Sequence, residues 1–356
     1  MGSQESALVW EQMGMDAVAR DFERLFPTYS FDGKAVLADL MSGQLWAALK
    51  KLGGGLSGAV LFQKEEFRAL FFTILVLGVA AALFSNFADL FQDHQVSDIA
   101  FYFVYLLLIA VLLKFFAETA GTVKEILNGV VTFVRLYIPT YILAVGSASG
   151  AASATVYYQL LLVAVYLIEW GYLSVLVPFV YVYVLLTVIN GIWMEEKLAL
   201  LLELSEKVIK GSLKASVWLI TGFSLLQSMI SPVIDSLQSS AVKKALSAMP
   251  GVGGLTEGMF EMVLGSAVLV KNSLGLFMTF SLIALCAVPI LKIALTACVI
   301  KLSAALIGII SDKRLTNCAS RVGEGNLMLL RIALTSVGMF MIQVAIISYS
   351  TGQAYH

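Results

Sequence analysis

The chain has 356 residues, of which 59% are hydrophobic and 13% charged. Soluble domains run at roughly 45–50% apolar and about 25% charged, so a soluble fold of this size could not cover its surface with the charge available. Lys plus Arg number 23 and Asp plus Glu 24, a balance that argues neither for nucleic acid as a partner nor for strong attraction to a membrane surface.

Residues 1–68 stand apart from the rest. They hold Arg20, Arg24, Lys34, Lys50, Lys51, Lys64 and Arg68. Leu8, Val18, Phe22, Leu25 and Phe26 recur at helical spacing, Asp16 and Arg20 pair at i, i+4, and Pro27 ends the segment. A second stretch carries Val36, Leu37, Leu40, Leu45, Trp46 and Leu49, and Gly53-Gly54-Gly55 follows as a hinge. Both predict amphipathic helices outside the bilayer core.

A spanning helix needs about 20 apolar residues, and Ala69–Phe87, Ile99–Phe116 and Gly129–Gly146 each meet that length. Thr155–Gly191 is largely apolar, with Glu169 its only charge; at about 55 Å it is too long for one crossing of a ~30 Å core, which predicts a hairpin turning near Gly171. Glu195–Lys214 places Glu203, Glu206, Lys207, Lys210 and Lys214 on one face and Leu200, Leu201, Leu204 and Val208 on the other. That pattern predicts an interfacial helix, with Glu203–Lys207 and Glu206–Lys210 as i, i+4 pairs. Val217–Leu237 is the next span, Leu274–Ile310 has the length of a helical pair, Ser311–Asn326 is a basic connector and Leu327–Ser348 is the last span. The fold class is all-α, a polytopic helical membrane protein of about eight or nine spans.

Pro139 and Pro250 are 111 positions apart, as are Pro178 and Pro289. Under that shift the two long apolar hairpins superpose, which predicts an internal two-fold repeat. The units are then residues 129–249 and 250–356, after an N-terminal region 1–68 and two spans in 69–128. Each unit opens on small residues: Gly146, Ser147, Ser149, Gly150 and Ser153 in the first, Gly251, Gly253 and Gly254 in the second. They suit close helix packing, or the lining of a pore or re-entrant segment. Met259–Val270 is too short to span, so a re-entrant or broken helix is expected before Lys271-Asn272. If both openings dip in and return, the repeat is inverted; if they cross, it is parallel.

Ionisable groups at membrane depth are costly and point to function. Arg135, Glu169, Glu261, Lys271 and Asn272 are the candidate intramembrane polar residues. Lys114, Lys292 and Lys301 fall near expected ends or turns and are read as snorkelling. Arg331 is balanced between snorkelling and a buried pairing, and Glu169 between a functional role and the interface. Cys286, Cys298 and Cys318 form no disulfide framework, and His94 and His356 leave no metal cluster. With no HExxH, GxSxG, P-loop or paired intramembrane aspartates in the sequence, neither catalysis nor a cofactor is expected.

The stretches Val145–Ala154, Met249–Gly254 and Leu264–Gly275, the last containing Lys271-Asn272, resemble the stage III sporulation protein AE family of endospore-forming bacteria. The resemblance implies a membrane component of the secretion-like channel complex that links mother cell and forespore. It implies the membrane derived from the mother cell around the forespore as location, and the other stage III A-operon proteins and stage II sporulation protein Q as partners, besides the lipid bilayer. A homo-oligomer is expected, with a conduit or assembly role. A self-contained secondary transporter with inverted repeats and a non-conducting membrane scaffold are the alternatives. The family usually begins with a signal peptide, whereas residues 1–25 contain no apolar core and Met1-Gly2-Ser3 reads as an appended start. The basic residues of 1–68 favour a cytoplasmic N-terminus, against the Asp89, Asp93 and Asp98 of the following loop. The family orientation places residues 1–68 in the intermembrane space instead, and it is preferred because an exported domain translocates largely regardless of charge.

Overall fold

The structure is a computed structural model describing residues 10, 11, 16, 33–48, 50, 64–88, 94–149, 163–192, 198–222, 255–311 and 313–350. Apart from short turns at 42–44, 198 and 311, the described residues are helical. In chain order they form α1 (Gly33–Met41), α2 (Lys64–Ala88), α3 (His94–Ser149), α4 (163–192), α5 (199–222), α6 (Leu255–Ile310) and α7 (Lys313–Ser350). Five of them, α2, α3, α4, α6 and α7, are long and apolar enough to cross a membrane, and the chain is read as an integral membrane protein.

The eight or nine expected spans are not reproduced, because stretches counted separately lie on single helices. Ile99–Phe116 and Gly129–Gly146 are two ends of the 56-residue α3. The charged stretch between them stays helical: Lys114 reaches Glu118 at 4.0 Å, and Thr119 and Thr122 bond back to the carbonyls of Phe115 and Glu118. It also contains no proline to end the helix. Leu274–Ile310 likewise belongs to the 56-residue α6, which runs unbroken through residues 259–272. The break expected before Lys271 is therefore absent from the backbone. At about 1.5 Å per residue, α3 and α6 each extend for about 84 Å, far more than one bilayer core.

No hairpin turns at Gly171. The helix continues, widening into a π-turn at Tyr172–Leu176, where the Val177 N–H donates to the Tyr172 carbonyl. Pro178 supplies the reason: it removes the N–H that residue 174's carbonyl would accept and crowds that carbonyl, and the wider turn absorbs both effects. Pro289 lies inside α6 as an α-helix, so the two prolines matched by the 111-position shift have different local structures. Ser311–Asn326, expected as a connector, is mostly the first part of α7. Most of Val217–Leu237 lies outside the described residues.

Cross-helix contacts set the topology. Tyr105 donates to the Val188 carbonyl at 3.2 Å and Phe116 meets Tyr181 edge-on at 5.0 Å, so α3 and α4 are antiparallel. Phe133 packs on Phe340 at 5.5 Å, and a Cβ at Gly325 would touch Phe116, which makes α3 and α7 parallel. Lys301–Glu324 and Gly308–Thr316 fix α6 and α7 as an antiparallel hairpin. Glu66–Lys292 and Gly78–Ile307 set α2 parallel to α6. Tyr172–Ser216 and Asn190–Leu198 fold α5 back along α4. From α2 to α7 the helices alternate up and down.

Two helices show how sequence pattern meets packing. On α7 the residues Leu315, Ala319, Val322, Asn326, Leu329, Ala333, Ser336, Phe340 and Gln343 are all buried. Their alternating spacing of four and three is the heptad pattern that keeps one seam facing the bundle. On α5 the expected apolar face is exposed: Leu200, Leu201, Leu204 and Val208 point outward, while Leu202, Ile209 and Leu213 are buried. The helix packs along α4, and those tertiary contacts chose a different stripe to bury. The pair Glu203–Lys207 forms at 2.8 Å, and Glu206–Lys210 also forms.

In the N-terminal region Val36 and Leu40 are buried, whereas Leu45 and Trp46 are exposed. Trp10 meets Phe277 of α6 edge-on at 5.8 Å.

Candidate functional site

Ion pairs between helices join α6 to the start of α2 and α6 to α7 near their hairpin. Lys292 of α6 reaches Glu66 of α2 at 3.4 Å, above a small recess that Thr119, Thr122 and Thr296 help line. Deeper along α6, Lys301 donates to Glu324 of α7 at 2.6 Å, and Arg331 approaches the other oxygen of Glu324 at 3.1 Å. Lys210 of α5 adds its charge to the same cluster. Lys292 and Lys301 therefore pair laterally between helices and do not snorkel from helix ends, and Arg331 takes the paired role. Lys114 keeps a largely exposed side chain.

Glycines make this cluster possible. A Cβ at Gly323 would lie 2.8 Å from the Lys301 Cγ, and one at Gly325 would lie 2.5 Å from a Val184 methyl. Gly323-Glu324-Gly325 thus lets α7 approach α6 on one side and α4 on the other, with the carboxylate between them. Small residues at helix crossings serve this purpose in lipid.

Glu169 lies at a different level and in a different chemistry. Its side chain is fully buried within α4, and Ser336 of α7 donates to Oε1 at 2.6 Å. The buried Oε2 has no hydrogen-bond partner. Cys286 of α6 and Tyr172, one turn along α4, are its titratable neighbours, and Tyr172 is itself hydrogen-bonded to Ser216 of α5. The residue does not reach an interface, because no turn follows it. Continuity of α4 drives it into the seam with α7.

The other predicted residues are not brought to Glu169. Arg135 is exposed on α3 and lines a cavity of about 380 Å³ with Val131, Val134, Val163, Tyr166 and Leu167. Asn272 is exposed on α6. Glu261 and Lys271 lie on the continuous backbone of α6, with side chains outside the described residues, as are those of Gly146, Ser147 and Ser149 at the end of α3. Gly150, Ser153, Gly251, Gly253 and Gly254 fall outside the described residues altogether.

Sequence reading missed Glu324 as the shared partner of Lys301 and Arg331, and it missed the polar members of the α7 seam. Asn326, Ser336 and Gln343 are each buried there, and Ser281 is buried on α6. The four-three spacing from Leu315 to Gln343 is the signal that could have found them.

On α5, Glu203 and Lys207 are exposed. The Lys207 ammonium, hydrogen-bonded to Glu203, holds that carboxyl below its ordinary range and is itself raised by the same contact. Among the described residues no group of His, Cys, Asp and Glu could hold a metal ion.

Comparison with known proteins supplies what geometry alone does not. The chain is 21% identical over 278 residues to the stage III sporulation protein AE of Bacillus subtilis (strain 168), covering 78% of this chain and 70% of that relative. No solved structure matches the chain. The family model for stage III sporulation protein AE matches residues 31–351, so the chain belongs to the stage III sporulation protein AE family.

Proposed function

We propose that this protein is a membrane component of the sporulation channel complex linking mother cell and forespore, acting in assembly or as part of a conduit. Family membership over residues 31–351 carries the reading. The bundle adds support for assembly over conduction through a single chain. Its interior is filled by large buried side chains, among them Tyr105, Phe116, Tyr183, Phe277 and Phe340, while Phe72, Val76, Phe103 and Leu106 face outward from α2 and α3. A conduit would then lie between copies, with the exposed apolar faces of α2 and α3 meeting lipid or neighbouring subunits. Partners would be the other stage III A-operon proteins and stage II sporulation protein Q, in the membrane derived from the mother cell around the forespore. A second reading, a self-contained secondary transporter, is favoured by one observation, the buried Glu169.

The deciding experiment is the mass of the full chain in detergent, with a low-resolution projection. A closed ring with an axial hole is the expected result. A closed monomer that binds none of the stage III A-operon proteins would overturn the complex-subunit reading.

A further inference from the structure

We propose that Glu169 is a proton-binding site inside the spanning bundle, and that its proton state decides whether the α4–α7 seam stays closed. The inference stands on the geometry of this seam and holds whether or not the assembled protein conducts.

The carboxyl is fully buried and receives one hydrogen bond, from Ser336 to Oε1 at 2.6 Å; Oε2 receives none. Groups facing it from each packed element can be named. On α6 it is the Cys286 thiol. On α4 it is Tyr172, whose hydroxyl is engaged by Ser216 of α5. On α7 the nearest charge is Arg331, which is paired with Glu324. On α3, Phe133 packs against Phe340, and Arg135 two residues on is exposed. Among the described residues no cation faces Glu169. A carboxylate ion stripped of water, with a single donor and no counter-charge, is far costlier here than the uncharged acid. The packing shown is therefore the packing of the acid.

Oε2 remains the anomaly. As an acid this oxygen carries the hydroxyl hydrogen and needs an acceptor; as a carboxylate oxygen it needs donors. It has neither. On the helices packed here other buried atoms also lack hydrogen-bond partners: the Ser281 Oγ of α6, and on α7 the Gln343 Nε2, the Asn326 Oδ1 and the Nη1 of the ion-paired Arg331. Gln343 lies two turns beyond Ser336, about 10 Å along the helix. The hairpin register set by Gly308–Thr316 and Lys301–Glu324 brings Ser281 to the level of Gln343. Unpartnered buried polar atoms are where internal water enters. A water reaching this line can exchange a proton with Glu169: hydronium gives its proton to the carboxylate, leaving the acid and water, and the reverse step returns it. The ionised form then demands hydration that Val165, Ala333 and Phe340, all buried, cannot supply, and the seam parts.

The native cysteines allow a direct test. Cys286 is buried beside Glu169, Cys318 is buried near Tyr105 and Cys298 is exposed. The full chain is reconstituted in phosphatidylcholine–phosphatidylglycerol vesicles and followed by infrared spectroscopy and by labelling with a membrane-permeant methanethiosulfonate reagent. Expected are a protonated-carboxyl C=O band at neutral pH that disappears on alkalinisation, and a ratio of Cys286 to Cys318 labelling that rises over the same pH range. The ratio cancels the general rise in thiolate that alkali causes at both buried thiols. In Glu169→Gln the band is absent and the ratio stays flat. Should Glu169→Gln fail to insert, Ser336→Ala gives the second arm. Loss of a donor to the carboxylate should move the band's midpoint to higher pH. A neutral-pH spectrum without the band, or with a band that Glu169→Gln leaves intact, overturns the proposal. So does a flat labelling ratio in the wild type, which would leave Glu169–Ser336 a structural hydrogen bond only.

Discussion

Gly325→Ala perturbs the closest approach of α7 to α4. The added Cβ would lie 2.5 Å from the Val184 Cγ2 and 3.5 Å from Phe116. Carbon atoms pack best at about 3.5–4.0 Å, so the Phe116 contact is ordinary while the Val184 contact is about 1 Å too short. Both helices are held by long seams, and relief requires them to part or Val184 to leave its rotamer. Overpacking of this kind costs about 1–3 kcal/mol. Replacing Gly by Ala in a helix returns about 1 kcal/mol, so the net expectation is a loss of about 1 kcal/mol, with an upper limit near 2. Gly338, on the same helix, has nothing within 4 Å of its hypothetical Cβ, and Gly338→Ala should gain up to about 1 kcal/mol. The assay is reversible unfolding in mixed micelles with a rising fraction of dodecyl sulfate, followed by tryptophan fluorescence. Val184→Ala removes the methyl in question, so the double variant should show a favourable coupling of about 1–2 kcal/mol. Equal stability of Gly325→Ala and Gly338→Ala, or no coupling with Val184→Ala, would refute the claim that Gly325 sets the spacing of these helices.

Two further outcomes follow from the polar contacts. Glu324→Gln leaves Lys301 and Arg331 facing each other without their shared carboxylate, which is 18% exposed. Breaking a fully buried pair costs about 3–5 kcal/mol; the half-exposed cations reduce the expectation to about 2 kcal/mol. Adding Lys301→Met should recover part of the loss in the same unfolding assay, and high salt should blunt it. Asn190→Ala removes the side-chain oxygen that accepts the Leu198 N–H at 2.9 Å where α5 begins. The loss should be about 1 kcal/mol, with faster hydrogen exchange confined to the first turn of α5.

Several features were legible from local pattern. The i, i+4 pairs of α5 formed where spacing placed them, because neighbours four apart on a helix meet whatever the surroundings. The span read at Ala69–Phe87 lies within α2, whose start at Lys64 was not read: Glu65 and Glu66 in its first turn favour a helix N-terminus there. Other readings failed for a common reason. Charges at Lys292 and Lys301 looked like the ends of spans, since an unpaired ammonium cannot stay in hydrocarbon. Their partners, Glu66 and Glu324, come from other helices and could not be seen in the local window. The length of Thr155–Gly191 argued for a turn at Gly171, yet glycine only permits a turn, and the helix was kept by packing along α3, α5 and α7.

The sequence by itself determined the class of this protein: bilayer-length apolar stretches with too little charge for a soluble surface leave helices in lipid as the outcome, because every backbone group there must be satisfied within its own helix. Its motifs also carried family membership. Tertiary structure alone decided which stretches join into one helix, which stripe of α5 is buried, and where Glu169 ends up. Those outcomes depend on side chains meeting across helices, such as Glu169 and Ser336 at 167 positions' separation. No periodicity within one segment encodes such a meeting.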